Sequence, residues 1–312
     1  MANRTLPRLL QTPAVVLLLI WMLIPLGMTL YFSFIRYVLN SLRRPEWTSP
    51  SFSNWRGFGN YEYVLNAKDF WFAVQNSVVI VTSILLLTVI IGLALAILVN
   101  RSFPGRGIVR VLLISPFFVM PAVNAVLWIN MILDPVLGLN GLAVDALNLA
   151  VRSLQDFPVL GAFFSLWPEI EPISFRATQT SAYAVIMMVT WQWTPFAVLI
   201  FMTSLQSEDE SQKEAAILDG ASAWSRFRNL TVPHLARPIA IVIMIQSIFH
   251  LALYAEIEIV SRGNGNKNLP YLIGEFASNN IGAASATGIF AVILANILAI
   301  FLLRMVGKNL MD

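Results

Sequence analysis

The side chains in this chain that could do chemistry sit inside apolar runs, and their spacing suits hydrogen bonding rather than bond breaking. Gln246, His250, Tyr254 and Glu258 recur at every fourth position, which on a helix puts them on one face. Asn124, Trp128 and Asn130 share another run, and Gln192 and Thr194 stand beside Trp191 and Trp193 in a third. Glu256 falls on a different helical face from Glu258. Donors, acceptors and indole faces together suit a neutral, hydroxyl-bearing solute. The competing use of the same groups is interhelical hydrogen bonding and subunit packing. Asn124, Trp128, Gln192, Gln246, His250 and Tyr254 are therefore candidates for a solute path. Glu256 and Glu258 are candidates for an outer gate, or for carboxylates that reach back to the interface. A charge at a bilayer centre costs about 2.5–3.5 kcal/mol on insertion scales, so such groups face protein or an aqueous cavity.

No catalytic constellation accompanies them. The one Gly-Lys pair, Gly307-Lys308, is followed by Asn309 and has no phosphate-cradling run before it, so the chain has no P-loop. With two histidines, His234 and His250, and no His-Glu-x-x-His, neither a zinc hydrolase nor any other metal site is supported. Gly-x-Ser-x-Gly is absent, and there are no cysteines, hence no disulfides and no thiolate chemistry. The net charge of +3 is small and the aromatics lie among apolar rather than basic residues, which excludes nucleic-acid binding. The reading is of a non-enzymatic protein that binds no cofactor of its own.

The elements that must position these groups are membrane helices. Hydrophobic residues make up 57% of the chain and charged residues 12%, about half the charge of a soluble domain. A span needs about twenty apolar residues to cross a hydrocarbon core of about 30 Å. Six stretches qualify: 13–35, 73–99, 109–133 (broken by Pro116 and Pro121), 182–205 (containing Pro195), 238–260 and 284–303. The fold class is an all-α integral membrane protein with six transmembrane helices. Arg4 and Arg8 ahead of the first run imitate a signal peptide, but the run is too long and no small-x-small cleavage pattern follows, so it reads as an uncleaved span. Six spans put both termini on one side. Eleven of the 20 Lys and Arg fall in 1–12, 100–110, 206–237 and 304–312. The other nine are spread over the longer pieces 36–72, 134–181 and 261–285, despite Arg36, Arg43 and Arg44 just after the first span. The denser set marks the cytoplasmic side and places both termini there. The outside piece 36–72 carries Trp47, Trp55, Tyr61, Tyr63 and Trp71, a packed or interfacial composition. The piece 134–181 contains an apolar stretch, 157–167, too short to span, which suits an interfacial or re-entrant helix.

One polar island, 206–237, interrupts the apolar pattern between the fourth and fifth spans. Ser207 with Glu210 and Ser211 with Glu214 are alternative capping boxes for a first short helix. Gly220 can end that helix in the left-handed conformation. Ser222 can cap a second helix over 223–230, with Trp224, Phe227 and Leu230 as an aromatic and apolar stripe and Pro233 as its stop. Such a helix could lie on the membrane surface or dock a soluble partner.

Here the chain resembles a family. Glu214-Ala215-Ala216, Asp219-Gly220-Ala221, Phe227 six residues later and Val232-Pro233 match the signature of permease subunits of binding-protein-dependent ABC importers. The similarity covers the spans, most clearly 73–304. The resemblance implies that Glu214, Ala215, Ala216, Asp219, Gly220, Ala221, Trp224 and Phe227 dock an ATPase subunit and transmit its closure. It implies a five-helix permease core over 73–312 with a coupling loop at 206–236, after a first span and outside loop in 1–72. It also implies a second permease subunit (a hetero-dimer), two ATPase subunits holding ATP and Mg, and an extracytoplasmic substrate-binding protein, all at a bacterial cytoplasmic (inner) membrane. Ser115-Pro116-Phe117 with Pro121 and Asn124, Trp191-Gln192-Trp193, Phe196 and Ala255-Glu256-Ile257 are similar to the carbohydrate branch, most of all to permeases for sorbitol, mannitol and related polyols. Two features depart from the family pattern. The turn before Glu214 is Ser207-Glu208-Asp209-Glu210 rather than Pro-rich, and Ser261-Arg262-Gly263-Asn264-Gly265 replaces the usual Gly-Gly-Pro. The readings that compete with an importer of a sugar or polyol are an importer of another solute, a stand-alone secondary transporter or channel, and a structural scaffold.

Overall fold

The computed structural model describes residues 5–38, 52–155, 157 and 166–308. The stretch 157–167, apart from residues 157, 166 and 167, lies outside them, as do Arg4, Arg43, Arg44 and Trp47. The described residues are helical apart from turns, the irregular stretch 166–180 and two isolated β-bridges. In chain order the helices are α1 (Thr5–Ser33), α2 (Gly59–Asn66), α3 (Lys68–Asn100), α4 (Arg106–Ile114), α5 (Pro121–Leu127), α6 (Leu139–Gln155) and α7 (Ser181–Gln206). They continue with α8 (Glu210–Leu218), α9 (Ala223–Arg226), α10 (Val232–His250), α11 (Ala255–Ser261), α12 (Leu269–Ala277) and α13 (Ile281–Lys308). Among the described residues five stretches are long and apolar enough to cross a bilayer: Leu10–Ser33, Lys68–Asn100, Ser181–Gln206, Ala223–His250 and Ile281–Phe301.

The third expected span is the sixth candidate, and it is folded. Arg106–Phe118 and Pro121–Ile132 meet at 104°. Pro116 and Pro121 flank the extended residues Val119 and Met120, and neither half, at roughly 18–20 Å, is long enough to cross alone. The fifth expected span is also corrected: it ends at His250 rather than near 260 and begins at Ala223 rather than 238. Helix α6 falls inside a piece read as loop, because it is amphipathic and too short to register as a span. Asn148 both donates to Ile170 O (2.9 Å) and accepts from Ile170 N (3.1 Å), fastening the chain beyond the helix to it.

The chain clusters into two compact units. The first comprises the described parts of Met1–Val74 with Leu269–Asn296. Its core joins Val64, Phe70 and Ala73 to Leu269, Leu272, Ala283 and Ala286. Buried Asn60 donates to the carbonyls of Ser33 (2.9 Å) and Ile35 (2.8 Å), which receive no helical bond where α1 ends. The second unit comprises the described parts of Gln75–Asn268 with Ile297–Asp312. Its core joins Ala96 to Ala197, Val198, Phe201, Leu205, Leu235 and Val242.

Lipid gives helices no hydrophobic reason to associate, so close approach must come from small residues. A β-carbon at Gly92 would lie 2.8 Å from Ala197 Cβ and 3.6 Å from Val198 N. Gly92→Leu is therefore expected to force α3 off α7 at a cost of about 1–3 kcal/mol, read as a lowered unfolding midpoint in detergent. The exchange Gly92→Ala with Ala197→Gly should recover most of the loss. No recovery would show that the contact between these two residues is not what sets the spacing.

Candidate functional site

The polar island forms a helical hairpin between α7 and α10. Neither expected serine caps its first helix. Asp209 does, accepting from Ser211 N (2.9 Å) and Ser211 Oγ (2.8 Å). A carboxylate is the stronger cap at a positive helix end. These bonds, the hydroxyl first, hold the Asp209 carboxyl below the usual carboxylate range. Lys213 sits between Glu210 (3.1 Å) and Glu208 (3.3 Å), and Glu208 also accepts from Thr231 Oγ1 (3.0 Å), tying the first helix to the base of the second. Partial burial works against the Lys213 charge, but the two carboxylates outweigh it and hold its pKa above the usual lysine range.

Gly220 ends α8 as expected, at φ +75°. Gly220 N donates to Ile217 O (3.0 Å) and Ala221 N to Ala216 O (2.9 Å), the paired bonds of a Schellman ending. Ser222 then caps α9, accepting from Ser225 N (3.2 Å). Of the expected docking residues, Glu214, Ala215, Asp219, Gly220 and Trp224 are exposed, whereas Ala216, Ala221 and Phe227 are half-buried. Ile217 (55% exposed) and Leu218 (88%) were not singled out in the sequence, yet they make the tip apolar. Trp224 and Phe227 pack ring to ring, with centroids 5.5 Å apart.

Pro233 does not stop the second helix. A π turn over Phe227–Thr231 links α9 directly to α10, and Val232 N donates to Phe227 O, five residues back. The ladder has thus left its i−4 register before the chain reaches Pro233, and a ring without an N–H can follow.

The intramembrane stripe is corrected too. Gln246 and His250 share α10, but the helix ends at His250, so Tyr254 and Glu258 are not in line with them. The turn is closed by Ala252 N to Phe249 O (3.1 Å) and Leu253 N to His250 O (3.3 Å). Buried Asn268 donates to Leu253 O (2.7 Å), taking a carbonyl the helix would otherwise have used. Gln246 and His250 are both buried against Trp193: Gln246 Nε2 reaches Trp193 O (3.4 Å), and the His250 and Trp193 ring centroids are 5.1 Å apart. Asn124 donates to Gln192 Oε1 (3.0 Å) and Met188 O (3.1 Å), and Gln192 donates to Val119 O. Tyr254 is exposed, Glu256 buried in α11, and Glu258 half-buried. Asn130 accepts from Arg176 (2.7 Å).

A cavity of about 510 Å³ opens in the second unit among α3, α4, α7 and the π turn Trp128–Ile132 that follows α5. Its walls are aliphatic side chains such as Ile91 and Leu112, with Trp128, Thr190, Trp191 and Thr194. The two indoles meet edge to face at 5.9 Å. Trp128 Nε1 and Thr190 Oγ1 are buried without a hydrogen-bond partner among the described residues. So are Gln246 Oε1, Asn124 Oδ1 and both ring nitrogens of His250. Each such group costs about 1–3 kcal/mol until something bonds to it. Of the expected path residues only Trp128 lines this cavity; Asn124, Gln192, Gln246 and His250 are buried between helices, and Tyr254 is exposed. Thr190 was missed because nothing in the sequence distinguishes it from Thr194, whose hydroxyl is spent on Thr190 O (2.6 Å).

The profile of the family described as binding-protein-dependent transport system inner membrane component matches residues 88–312. The chain belongs to this family. The matched stretch contains the hairpin, the folded third span and all of the cavity lining but Leu87, in what is a multi-pass protein of the cytoplasmic membrane. Among similar permeases is the inner membrane ABC transporter permease protein YcjO of Escherichia coli K12, 28% identical over 83% of this chain and 81% of that one. The trehalose/maltose transport system permease protein MalF of Thermococcus litoralis is 26% identical over 92% and 88%. The fold also matches a chain in the crystal structure of a bacterial ABC transporter involved in the import of the acidic polysaccharide alginate. The TM-score there is 0.73, with 18% identity, 97% of this chain and 95% of that chain covered.

Proposed function

We propose that this permease is the membrane subunit through which an ATP-driven importer moves a sugar or sugar alcohol. A soluble binding protein delivers the solute outside, and both termini lie in the cytoplasm. A second, different permease completes the path, and two ATPase subunits, which hold ATP and Mg, dock on the hairpin through Glu214, Ala215, Ala216, Asp219, Gly220, Ala221, Trp224 and Phe227. The observation that carries this reading is the hairpin, a helical surface capped at both turns with an exposed apolar tip, in a chain whose sequence holds no P-loop motif. The solute class is supported by relatives named for trehalose, for trehalose/maltose and, in Brucella abortus, for sn-glycerol-3-phosphate transport. It is also supported by the cavity, whose indole faces can take the C–H surface of a sugar, and by the partnerless Trp128 N–H and Thr190 hydroxyl, which are buried behind its wall and become available to sugar oxygens where the helices part. Asn124, Gln192, Gln246 and His250 extend the path in the state where the helices part, and Tyr254, Glu256 and Glu258 stand at its outer end.

The test is ATPase stimulation in the assembled complex with its binding protein, across a panel of sugars and polyols. At least one should stimulate, and Thr190→Val, which keeps the shape and removes the hydroxyl, should weaken that response about ten-fold, the effect of one hydrogen bond of about 1.4 kcal/mol. A tagged chain that never brings down an ATPase sinks the importer reading; stimulation only by amino acids or inorganic anions sinks the solute class.

A further inference from the structure

The first unit carries a basic cleft unrelated to the cavity or the hairpin. It has a volume of about 440 Å³ and is lined by Arg36, Asn54, Trp55 and Arg56. Two backbone bonds bring its walls together: Arg36 N to Asn54 O (2.9 Å) and Arg56 N to Phe34 O (2.8 Å). Arg56 is held in place. Its Nη1 donates to Asn60 Oδ1 (3.3 Å), and its stem lies over Gly59, where an added β-carbon would be 2.7 Å from Nε. Among the described residues neither Arg36 nor Arg56 has a carboxylate partner. Each guanidinium carries five N–H donors, so most of the donating capacity of these two arginines meets no acceptor among the described residues.

Its depth says what could use it. Arg36 stands three residues beyond the span Leu10–Ser33, next to the membrane boundary expected at the end of that span. Phe52 (70% exposed) and Phe58 (73%) flank the cleft, and Trp55 is stacked between Phe52 and Phe34 with centroids 5.3 Å apart on each side. Exposed aromatic rings of this kind settle at the membrane–water boundary.

We propose that Arg36 and Arg56 grip the phosphate of an anionic phospholipid beside the end of α1. Guanidinium forks match phosphate oxygens two at a time. A zwitterionic lipid brings its own ammonium and is disfavoured, and the aromatic flank holds the cleft at headgroup height. The test is native mass spectrometry of the intact complex, purified in detergent with equal phosphatidylglycerol and phosphatidylcholine, counting retained lipid. Phosphatidylglycerol should be retained selectively. Arg36→Gln or Arg56→Gln should lower its retention about five-fold each, and the pair roughly thirty-fold. Gly59→Ala keeps both charges but displaces the Arg56 stem, and should also lower retention; Arg36→Lys should restore part of it. Retention unchanged in the double variant, or equal retention of both lipids, overturns the proposal. Displacement by excess inorganic phosphate would make it a free-anion site instead. Variants that weaken only binding-protein docking, with lipid retention intact, would assign the cleft to protein carboxylates.

Discussion

Gly220→Val is expected to reduce uptake more than ten-fold while the chain still inserts and assembles. Gly220 sits at φ +75°, and no heavy atom lies within 4 Å of where its β-carbon would be. The free chain therefore has room for the side chain but not the backbone angle, which costs a non-glycine residue about 1–2 kcal/mol and more when it is β-branched. Relief comes by opening the Schellman ending, and the bonds from Gly220 N and Ala221 N are lost with it. The cap that Ser222 supplies to α9 then shifts relative to α8, and the two halves of the exposed surface no longer present one shape. Gly220→Asn is the control, since asparagine tolerates the left-handed region; it should keep most of the transport. Uptake into proteoliposomes and the ATPase rate are measured together. A large fall in uptake with ATPase activity retained is the expected pattern, and unimpaired transport by the valine variant would end the docking reading.

The largest loss of stability is expected at Gly265. Its φ is +81°, and an added β-carbon would lie 1.9 Å from Thr178 O and 2.6 Å from Thr178 C. Those are backbone atoms in a segment that is itself pinned, Thr178 Oγ1 to Asn264 Oδ1 (2.9 Å) and Ser181 Oγ to Asn264 O (2.7 Å), so neither side yields cheaply. Overpacking and backbone strain together should cost Gly265→Ala about 2–5 kcal/mol, seen as a lowered thermal midpoint of the purified complex. Gly105→Ala separates the two causes. Gly105 has nearly the same angle, φ +83°, with nothing within 4 Å, and should lose only the strain. Equal losses in the two variants would show that the approach to Thr178 does not matter.

This close approach also bears on what could be read without coordinates. Ser261–Gly265 was noticeable only as a departure from a family pattern, and nothing in it announced that Gly265 abuts a carbonyl 87 positions earlier. The spans were legible because apolar length is a one-dimensional quantity. Gly220 and Ser222 were legible because turn chemistry is local. The end of α10 was not: Leu251-Ala252-Leu253 is as apolar as the helix before it, and the group that stops the helix, Asn268, is 15 residues away. Pro233 misled for the opposite reason, since a local rule was overridden by the π turn ahead of it. In the solute path, residue type identified Trp128 and Gln192 alike. Only packing shows that one faces a cavity and the other holds Asn124.

The run from Ala223 to His250 has a mechanical consequence. It is one helix of 28 residues, about 42 Å from end to end, with the exposed Trp224 at one tip and His250 against Trp193 at the other. A rod of that length pivoting by about 10° at its middle swings each tip roughly 4 Å, in opposite senses. Whatever pushes the Trp224 end in one direction carries the His250 end in the other. The message between them needs stiffness, and a joint at Pro233 would have swallowed it.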